Sequence, residues 1–269
     1  MLKDITIGQY LPGESFVHKL DPRVKIIISF MFVIDIFLIS SFMGYGVIAS
    51  FIFLVIFISG IKLKNILNGL KPIFLLIILT VILNVFMYGG SKVLWSYGFL
   101  KITEEGLIMA AFIALRLVLV IISTSILTLT TSPIELTDGI EKLLSPLKPI
   151  GLPAHELAMM MSIALRFIPT LLDETDKIMK AQMARGADFE SGNIVNRGKN
   201  LIPLLVPLFV SSFRRADELA IAMESRCYKG GEGRTRMKQL KISINDVYAI
   251  IVVIVIMGLS IFIKLIFNM

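Results

Sequence analysis

Long stretches without a charged residue constrain this chain more than any other feature of its sequence. Residues 36–61 contain no charged side chain, and neither does the segment between Lys71 and Lys92. A helix needs about 17–25 residues to cross the hydrocarbon core of a bilayer, so runs of this length are typical of membrane spans. The mean hydropathy of +0.83 and the 17% of charged residues point the same way. We therefore interpret the chain as an integral membrane protein, which excludes a soluble nucleic-acid binder, a disordered chain and a disulfide-stabilised secreted domain.

The apolar runs predict an all-α polytopic membrane protein. Ser40, Ser41 and Gly44 interrupt the longest run, which we divide into two spans joined by a tight turn. Residues 1–131 are then an N-terminal region of four spans, and residues 245–269 hold the last one. Residues 132–244 form a cytoplasmic coupling region, although two apolar patches in it leave one or two further spans as an alternative. The five predicted spans are residues 24–41, 43–61, 72–90, 107–131 and 247–267.

The distribution of basic residues predicts that the N-terminus is cytoplasmic. With the N-terminus inside, the inner segments contain 23 of the 27 lysines and arginines. The outer side holds only Lys92, Lys101 and Lys264, and Arg116 lies within a span. Cytoplasmic segments carry such an excess of positive charge. We expect a multi-pass protein of the cell membrane.

Three helices are predicted in the coupling region. A short amphipathic helix begins at Ser132-Pro133-Ile134-Glu135, a pattern typical of a helix N-terminus. A long helix covers residues 153–185 and ends at Gly186, which suits a left-handed C-terminal cap. A second long helix covers residues 199–228. Each long helix has an apolar first half, a charged second half and an arginine near its end.

Three motifs of this chain resemble motifs of the transmembrane (T) component of energy-coupling factor transporters, the EcfT/CbiQ family. They are His18-Lys19-Leu20-Asp21-Pro22-Arg23, the segment Ser162-Ile163-Ala164-Leu165-Arg166-Phe167-Ile168-Pro169, and Ala184-Arg185-Gly186. In that family two Ala-Arg-Gly motifs end the coupling helices and insert into grooves on two ATPases. The second motif here is Ser225-Arg226-Cys227, which keeps the arginine and lacks the glycine. One consequence of that change would be a helix that continues to Gly230.

The resemblance implies that this chain acts by binding partner subunits and has no catalytic activity of its own. It implies two ABC-type ATPase subunits, which bind ATP and magnesium, and a membrane-embedded substrate-binding (S) subunit for a vitamin or metal ion. The chain contains no Walker sequence and no other catalytic motif, so we predict a non-catalytic subunit with no cofactor or metal of its own. The alternatives are a self-sufficient permease or channel with its own solute pathway, and an intramembrane enzyme. A permease would need more polar residues in the spans than the sequence provides, and an enzyme would need a reactive group of residues there, which the sequence lacks.

Two sets of residues are predicted to act in docking. Arg185 and Arg226 are predicted to contact the ATPases, because a guanidinium offers a fork of donors to carboxylates or carbonyls. The alternative is a pair of solvated arginines at helix C-termini, where the helix dipole favours positive charge. Methionines crowd the first long helix and offer either core packing or a soft surface for exchangeable S subunits. These methionines are Met159, Met160, Met161, Met179 and Met183.

Asp35 and Arg116 are the two charges predicted within spans. At 1.5 Å per residue, Asp35 lies about 15 Å from the inner face and Arg116 about 14 Å from the outer face. Charges at such depth are costly unless they are paired. We therefore expect an ion pair between them, with a charge in a solute pathway as the alternative.

Overall fold

A computed structural model of the chain describes residues 10–97, 100–187, 189, 194–231 and 239–267. The chain divides into two compact units. The described residues of the membrane unit are 10–97, 100–139 and 240–267, and those of the coupling unit are 140–187, 189, 194–231 and 239. Helices make up most of the described chain, which confirms the predicted all-α class.

The membrane unit contains six helices and a small hairpin in its described part. Five helices correspond to the predicted spans. The largest difference is at the third span, where the helix starts nine residues before Pro72 and includes this proline. The elements are α1 (Phe16–Lys19), α2 (Pro22–Leu38), α3 (Phe42–Ser59), α4 (Leu63–Met87), β1 (Val93–Tyr97), β2 (Leu100–Thr103), α5 (Glu104–Thr130) and α9 (Ile244–Phe267). The antiparallel β1–β2 hairpin was not predicted and joins α4 to α5.

Local capping explains where α2 and α3 begin and end. Asp21 caps α2 by accepting the backbone N–H of Arg23, and Pro22 follows at the first helical position. Ser41 caps α3 by accepting the backbone N–H of Gly44. Gly60 ends α3 with a φ of 68°, a left-handed conformation that glycine adopts without steric cost. The predicted turn between the first two spans is confirmed.

The core of the membrane unit lies along one stripe of α3. Tyr45, Ile48, Ile52 and Ile56 recur every three or four residues and are buried among side chains of α2 and α5. Phe57, on another face of α3, is 83% exposed. A helix that is apolar on every side but buried on only one stripe suits a lipid environment, because hydrocarbon can cover its remaining surface.

Polar contacts join the ends of α2 to other helices of the membrane unit. At the start of α2, Asp246 of α9 accepts the backbone N–H of Asp21 at 2.7 Å. The Nζ of Lys25 donates to the carbonyl oxygens of His18 and Thr130, each at 3.0 Å. At the end of α2, Lys264 of α9 donates to the carbonyl of Leu38 at 2.7 Å. Buried polar groups are thereby satisfied where apolar packing alone would leave the helix ends bare.

The coupling unit is built around two long helices. The short helix α6 (Pro133–Leu144) leads into it, and Ser132 caps this helix by accepting the backbone N–H of Glu135 at 3.3 Å. A 3-10 turn (Ser145–Ile150) with two prolines then ends α6. The long helices are α7 (Ala154–Ala184) and α8 (Ile194–Ser225). Both were predicted, although α8 begins five residues earlier and ends three residues earlier than its predicted range.

Five helices of the described chain are long and apolar enough to cross a membrane. They are α3, α4, α5, α7 and α9. Helix α7, which the sequence analysis assigned to the cytoplasmic coupling region, is the least apolar of these five. Helix α2 has 17 residues, which is the lower limit of about 17 residues for a span. Length and composition thus give α7 the properties of a span, in line with the alternative of further spans.

Candidate functional site

The two long helices of the coupling unit end in the same backbone motif. At the end of α7, the N–H of Gly186 donates to the carbonyl of Met183, and the N–H of Ala187 donates to the carbonyl of Gln182, both at 3.0 Å. At the end of α8, Cys227 donates to Glu224 at 2.8 Å and Tyr228 donates to Met223 at 3.0 Å. Each pair of hydrogen bonds is the Schellman pattern, in which the chain closes its last turn and leaves the helix.

The equivalence of the two ends extends to the backbone angles. Gly186 has a φ of 89°, and Cys227 has a φ of 56° at the corresponding position. Cys227 is the single non-glycine residue with positive φ in the described chain. Ser225-Arg226-Cys227 therefore folds like Ala184-Arg185-Gly186 although it lacks the glycine. The expectation that the loss of glycine extends the helix to Gly230 is wrong, because α8 ends at Ser225.

Both arginines of these motifs lie on the exposed surface of the coupling unit. Ala184, Arg185 and Gly186 are exposed, as are Ser225, Arg226 and Cys227. Neither guanidinium takes part in a hydrogen bond, ion pair or ring contact with any described residue of the chain. Each motif therefore presents an arginine whose five N–H donors are available to a partner.

A polar cluster fixes the point where α7 and α8 meet. The carboxylate of Glu174 accepts from the hydroxyl of Ser211 at 2.5 Å and from a guanidinium N–H of Arg215 at 2.8 Å. Sequence reasoning missed these three residues as a site. The spacing of charges along α7 indicates pairs within one helix, such as Asp176 with Lys180, which lie 3.2 Å apart. No local signal shows that Glu174 meets another helix 37 residues further along the chain.

The same contacts place the two arginines on opposite sides of this meeting point. Arg185 follows Glu174 by 11 residues, which is about 16 Å along α7. Gly231, which follows α8, lies against the ring of His155 in the first turn of α7. The C-terminus of α8 therefore runs toward the N-terminus of α7. Arg226 lies at that end of the helix pair and Arg185 at the other.

The methionines of α7 divide into two groups. Met160, Met161 and Met183 are exposed, with exposed fractions of 55%, 48% and 49%. Met159 and Met179 are half-buried within the coupling unit. The exposed group suits a soft contact surface, and the half-buried group suits ordinary packing.

The predicted ion pair between Asp35 and Arg116 does not form in the structure. Asp35 is 1% exposed and contacts the hydroxyl of Ser260 at 2.6 Å. Arg116 instead donates to the hydroxyl of Tyr45 at 3.1 Å and to the carbonyl of Ile39 at 3.3 Å. The prediction rested on depth alone, and depth does not fix which face of a helix a side chain occupies. The end of α2, with its unsatisfied carbonyls, satisfies Arg116 without a carboxylate.

The fold and the paired helix ends define a helical, multi-pass membrane protein with two exposed arginine motifs on long helices. The family model for CbiQ, described as cobalt transport protein, matches residues 13–237. The chain is 64% identical to an energy-coupling factor transporter transmembrane protein EcfT of Clostridium kluyveri over 97% of both chains. It is 60% identical to the protein of that name in Thermosediminibacter oceani, over 93% of this chain and 94% of that one. It is 49% identical to the one in Bacillus subtilis, over 98% of this chain and all of that one.

These matches extend over nearly the whole chain, so the chain belongs to the EcfT/CbiQ family, the transmembrane components of energy-coupling factor transporters. The resemblance seen in the three sequence motifs is thereby confirmed. The protein is a membrane component of a transporter.

Proposed function

We propose that this chain is the coupling subunit that transmits ATP-driven motion to a substrate-binding partner. Two ABC-type ATPase subunits would each receive one arginine motif, Arg185 in one case and Arg226 in the other. ATP and magnesium would be bound by these partners. Closure of the ATPases would move the α7–α8 pair, and this motion would reach a membrane-embedded S subunit that holds a vitamin or a metal ion. The chain would transmit force from the ATPases to the S subunit, and it would not contain a solute pathway of its own.

The observation that carries the proposal is the equivalence of the two helix ends. Two Schellman motifs each present an arginine that pairs with none of the residues the structure describes. The contacts of Glu174 and Gly231 put these arginines at opposite ends of one helix pair. A solvated arginine needs neither a defined turn geometry nor a second copy at the far end. A rigid pair with a docking group at each end suits two partners that move relative to each other. The glutamate–arginine contact at the centre would make both ends move together.

The exposed methionines of α7 form a second candidate contact surface. We assign Met160, Met161 and Met183 to contact with the S subunit, because a flexible thioether surface can repack against different partners. Replacing Met160 and Met161 together by alanine is expected to lower the amount of S subunit that purifies with the complex. The amount of ATPase retained should not change. Equal loss of both partners would instead indicate damage to α7 as a whole.

A series of arginine variants tests the docking role. A charge-assisted hydrogen bond contributes about 1.5–3 kcal/mol, so Arg185→Ala should weaken ATPase binding about tenfold to a hundredfold. Arg185→Lys should recover part of the binding, because lysine keeps the charge and lacks the fork. Arg185→Glu should be the weakest. The same order is expected at Arg226, measured as ATPase retained on the purified chain and as uptake in cells.

Arg214→Ala provides the matched control, because Arg214 is an exposed arginine within α8 and away from its end. This variant should retain both ATPases. The double variant Arg185→Ala, Arg226→Ala should lose ATP-driven uptake while it still holds the S subunit. Wild-type uptake by the double variant, or uptake by the chain in cells without the ATPases, would contradict the proposal. The second outcome would support a self-sufficient permease.

A further inference from the structure

Two aspartates of the membrane unit are equally buried and differ in their hydrogen bonds. Asp35 in α2 and Asp246 in α9 are each 1% exposed. Asp246 accepts on both oxygens, from the backbone N–H of Asp21 at 2.7 Å and from the backbone N–H and hydroxyl of Ser243 at 2.7 and 2.8 Å. Three donors directed at one carboxyl group are the pattern expected for an ionised carboxylate, which can only accept.

Asp35 has a different environment. Its Oδ1 lies 2.6 Å from the hydroxyl oxygen of Ser260, which is fully buried in α9. Its Oδ2 is buried and has no hydrogen-bond partner within the described part of the chain. A charged carboxylate in this place would leave one oxygen without any compensation in an apolar interior, which is strongly unfavourable.

The side chains that donate hydrogen bonds to this end of α2 do not compensate a charge on Asp35. Arg116 of α5 donates to Tyr45 and to the carbonyl of Ile39. Lys264 of α9 donates to the carbonyl of Leu38. The hydroxyl of Tyr45, in α3, donates to the carbonyl of Ile39 at 3.1 Å. Each of these groups satisfies the end of the α2 backbone, and none of them contacts Asp35.

The hydrogens around Ser260 can be counted. The Ser260 hydroxyl oxygen lies 2.6 Å from Asp35 and 2.8 Å from the carbonyl oxygen of Met257. A hydroxyl has one hydrogen, and a carbonyl oxygen can only accept. If Ser260 donates to Met257, the hydrogen in the contact with Asp35 must come from the aspartate. If Ser260 donated to Asp35 instead, the Met257 contact would contain no hydrogen and Oδ2 would remain an uncompensated anionic oxygen.

We infer that Asp35 is a neutral carboxylic acid in the folded protein and donates a hydrogen bond from α2 to Ser260 of α9. The proton removes the charge that would otherwise be unpaired within the membrane unit. It also sets a chain of two hydrogen bonds in one direction, from Asp35 to Ser260 and from Ser260 to Met257. Asp35 thus links two helices that are far apart in sequence at low electrostatic cost, and this explains how an acidic residue is accommodated without Arg116.

Infrared spectroscopy of the full chain, purified and reconstituted in lipid, tests this inference. A protonated carboxyl group has a carbonyl stretching band that an ionised carboxylate lacks. We expect this band at about pH 7, where ordinary carboxyl groups are ionised, and we expect it to shift when aspartate is labelled with carbon-13. Asp35→Asn should remove the band. The matched control Asp246→Asn should leave it in place, since Asp246 has the hydrogen-bond pattern of a carboxylate.

A second variant keeps the test decisive if Asp35→Asn does not fold. Ser260→Ala removes the acceptor of the proposed hydrogen bond and retains the acid. The band should then remain and move to higher frequency, because the carboxyl group has lost its partner. Absence of an aspartate band from the wild-type protein at neutral pH would overturn the inference. A band that survives Asp35→Asn, or that does not move in Ser260→Ala, would overturn it as well.

Discussion

Cys227 occupies a backbone conformation that disfavours its side chain. Its φ of 56° lies in the left-handed region, where a residue with a Cβ is strained and glycine is not. Cys227→Gly should therefore stabilise the end of α8 by about 1 kcal/mol. Cys227→Val should destabilise it by a similar amount or more, because a β-branched residue fits this region worst. Thermal unfolding of the purified chain measures both changes.

Gly186 supplies the control for Cys227. Gly186→Ala introduces at the end of α7 the same strain that Cys227 already carries at the end of α8. It should cost about 1 kcal/mol, so its effect should be opposite in sign to that of Cys227→Gly. If glycine at 227 lowered the unfolding temperature, the left-handed turn after Arg226 would not be the conformation of this segment.

Asp21 makes the stability of the membrane unit dependent on pH. Burial raises the pKa of this carboxyl group, but hydrogen bonds from Arg23 and the charges of Arg23 and Lys25 lower it by more, so the pKa lies below its ordinary value. A lowered carboxyl pKa means that the ionised form stabilises the fold. This contribution is complete above the ordinary pKa of about 3.9 and is lost as the pH falls through the lowered pKa.

Two substitutions separate the cap of Asp21 from its charge. Asp21→Ala removes both and should cost about 0.5–2 kcal/mol of stability at neutral pH. Asp21→Asn keeps an oxygen for the backbone N–H of Arg23 and should cost less. The difference in unfolding temperature between the wild type and Asp21→Asn should shrink as the pH is lowered from about 5 to about 3. A difference that stayed constant over this range would exclude the charge as its source.

At the scale of whole elements, the sequence predicted the helix ends and turns that neighbouring side chains determine. The cap at Ser132, the break at Ser40 and Ser41, and the left-handed turn at Gly186 all follow from side chains next to the feature they cause. The turn at Cys227 was not predictable in this way, because hydrogen bonds to Met223 and Glu224 impose it against the preference of the residue. Arg226 was predicted to be a docking residue from the family resemblance, because an arginine at a helix end is ambiguous by itself.

Contacts between distant elements were the part that sequence reasoning could not supply. Glu174 meets Ser211 and Arg215 only because two helices cross, and neither periodicity nor charge spacing fixes where a crossing occurs. The Asp35–Arg116 ion pair failed for the same reason. Estimated depth brought the two charges to similar levels, while the rotation of each helix directed Asp35 to α9 and Arg116 to the end of α2.

The contact between α7 and α8 can be tested by measuring the distance between their ends. Cys227 is the only cysteine of the chain, so one added cysteine, Ala184→Cys, gives a pair of sites for spin labels. The labels lie on opposite sides of Glu174, about 15 Å from it along α7 in one case and about 18 Å beyond Arg215 along α8 in the other. We expect one narrow distance distribution by pulsed electron paramagnetic resonance.

Removal of the Glu174 carboxylate should broaden that distribution. Glu174→Ala removes the contacts with Ser211 and Arg215, and Glu174→Gln should act less because its side-chain oxygen still accepts from Ser211. Asp176→Ala is the matched control, since Asp176 pairs with Lys180 on its own helix and surface pairs of this kind contribute little. An unchanged distribution in Glu174→Ala would mean that apolar packing alone holds the two helices.

For the whole molecule, the position of α7 decides how the chain is threaded through the membrane. The excess of lysine and arginine favours a cytoplasmic location for the entire coupling region. The length and composition of α7 also allow it to span. Its charged second half, with Asp173, Asp176 and Lys180, favours the cytoplasmic location, because such residues are expensive in hydrocarbon.

Cysteine labelling from outside intact cells distinguishes the two arrangements. In a background with Cys227→Ser, single cysteines are placed at Ile150, before α7, at Ala184, at its end, and at Ser91, between α4 and the hairpin. All three native residues are exposed, so each cysteine can react wherever the reagent reaches it. An impermeant thiol reagent should label the cysteine at 91 only, since the positive-inside pattern places positions 150 and 184 in the cytoplasm. The native Cys227 of the unmodified chain should resist the reagent for the same reason, and permeabilised cells should show labelling at every site.

If α7 crosses the membrane, one of the two sites at 150 and 184 will label from outside and the other will not. That result would place Arg185 and Arg226 on opposite sides of the bilayer, where they could not dock to two cytoplasmic ATPases.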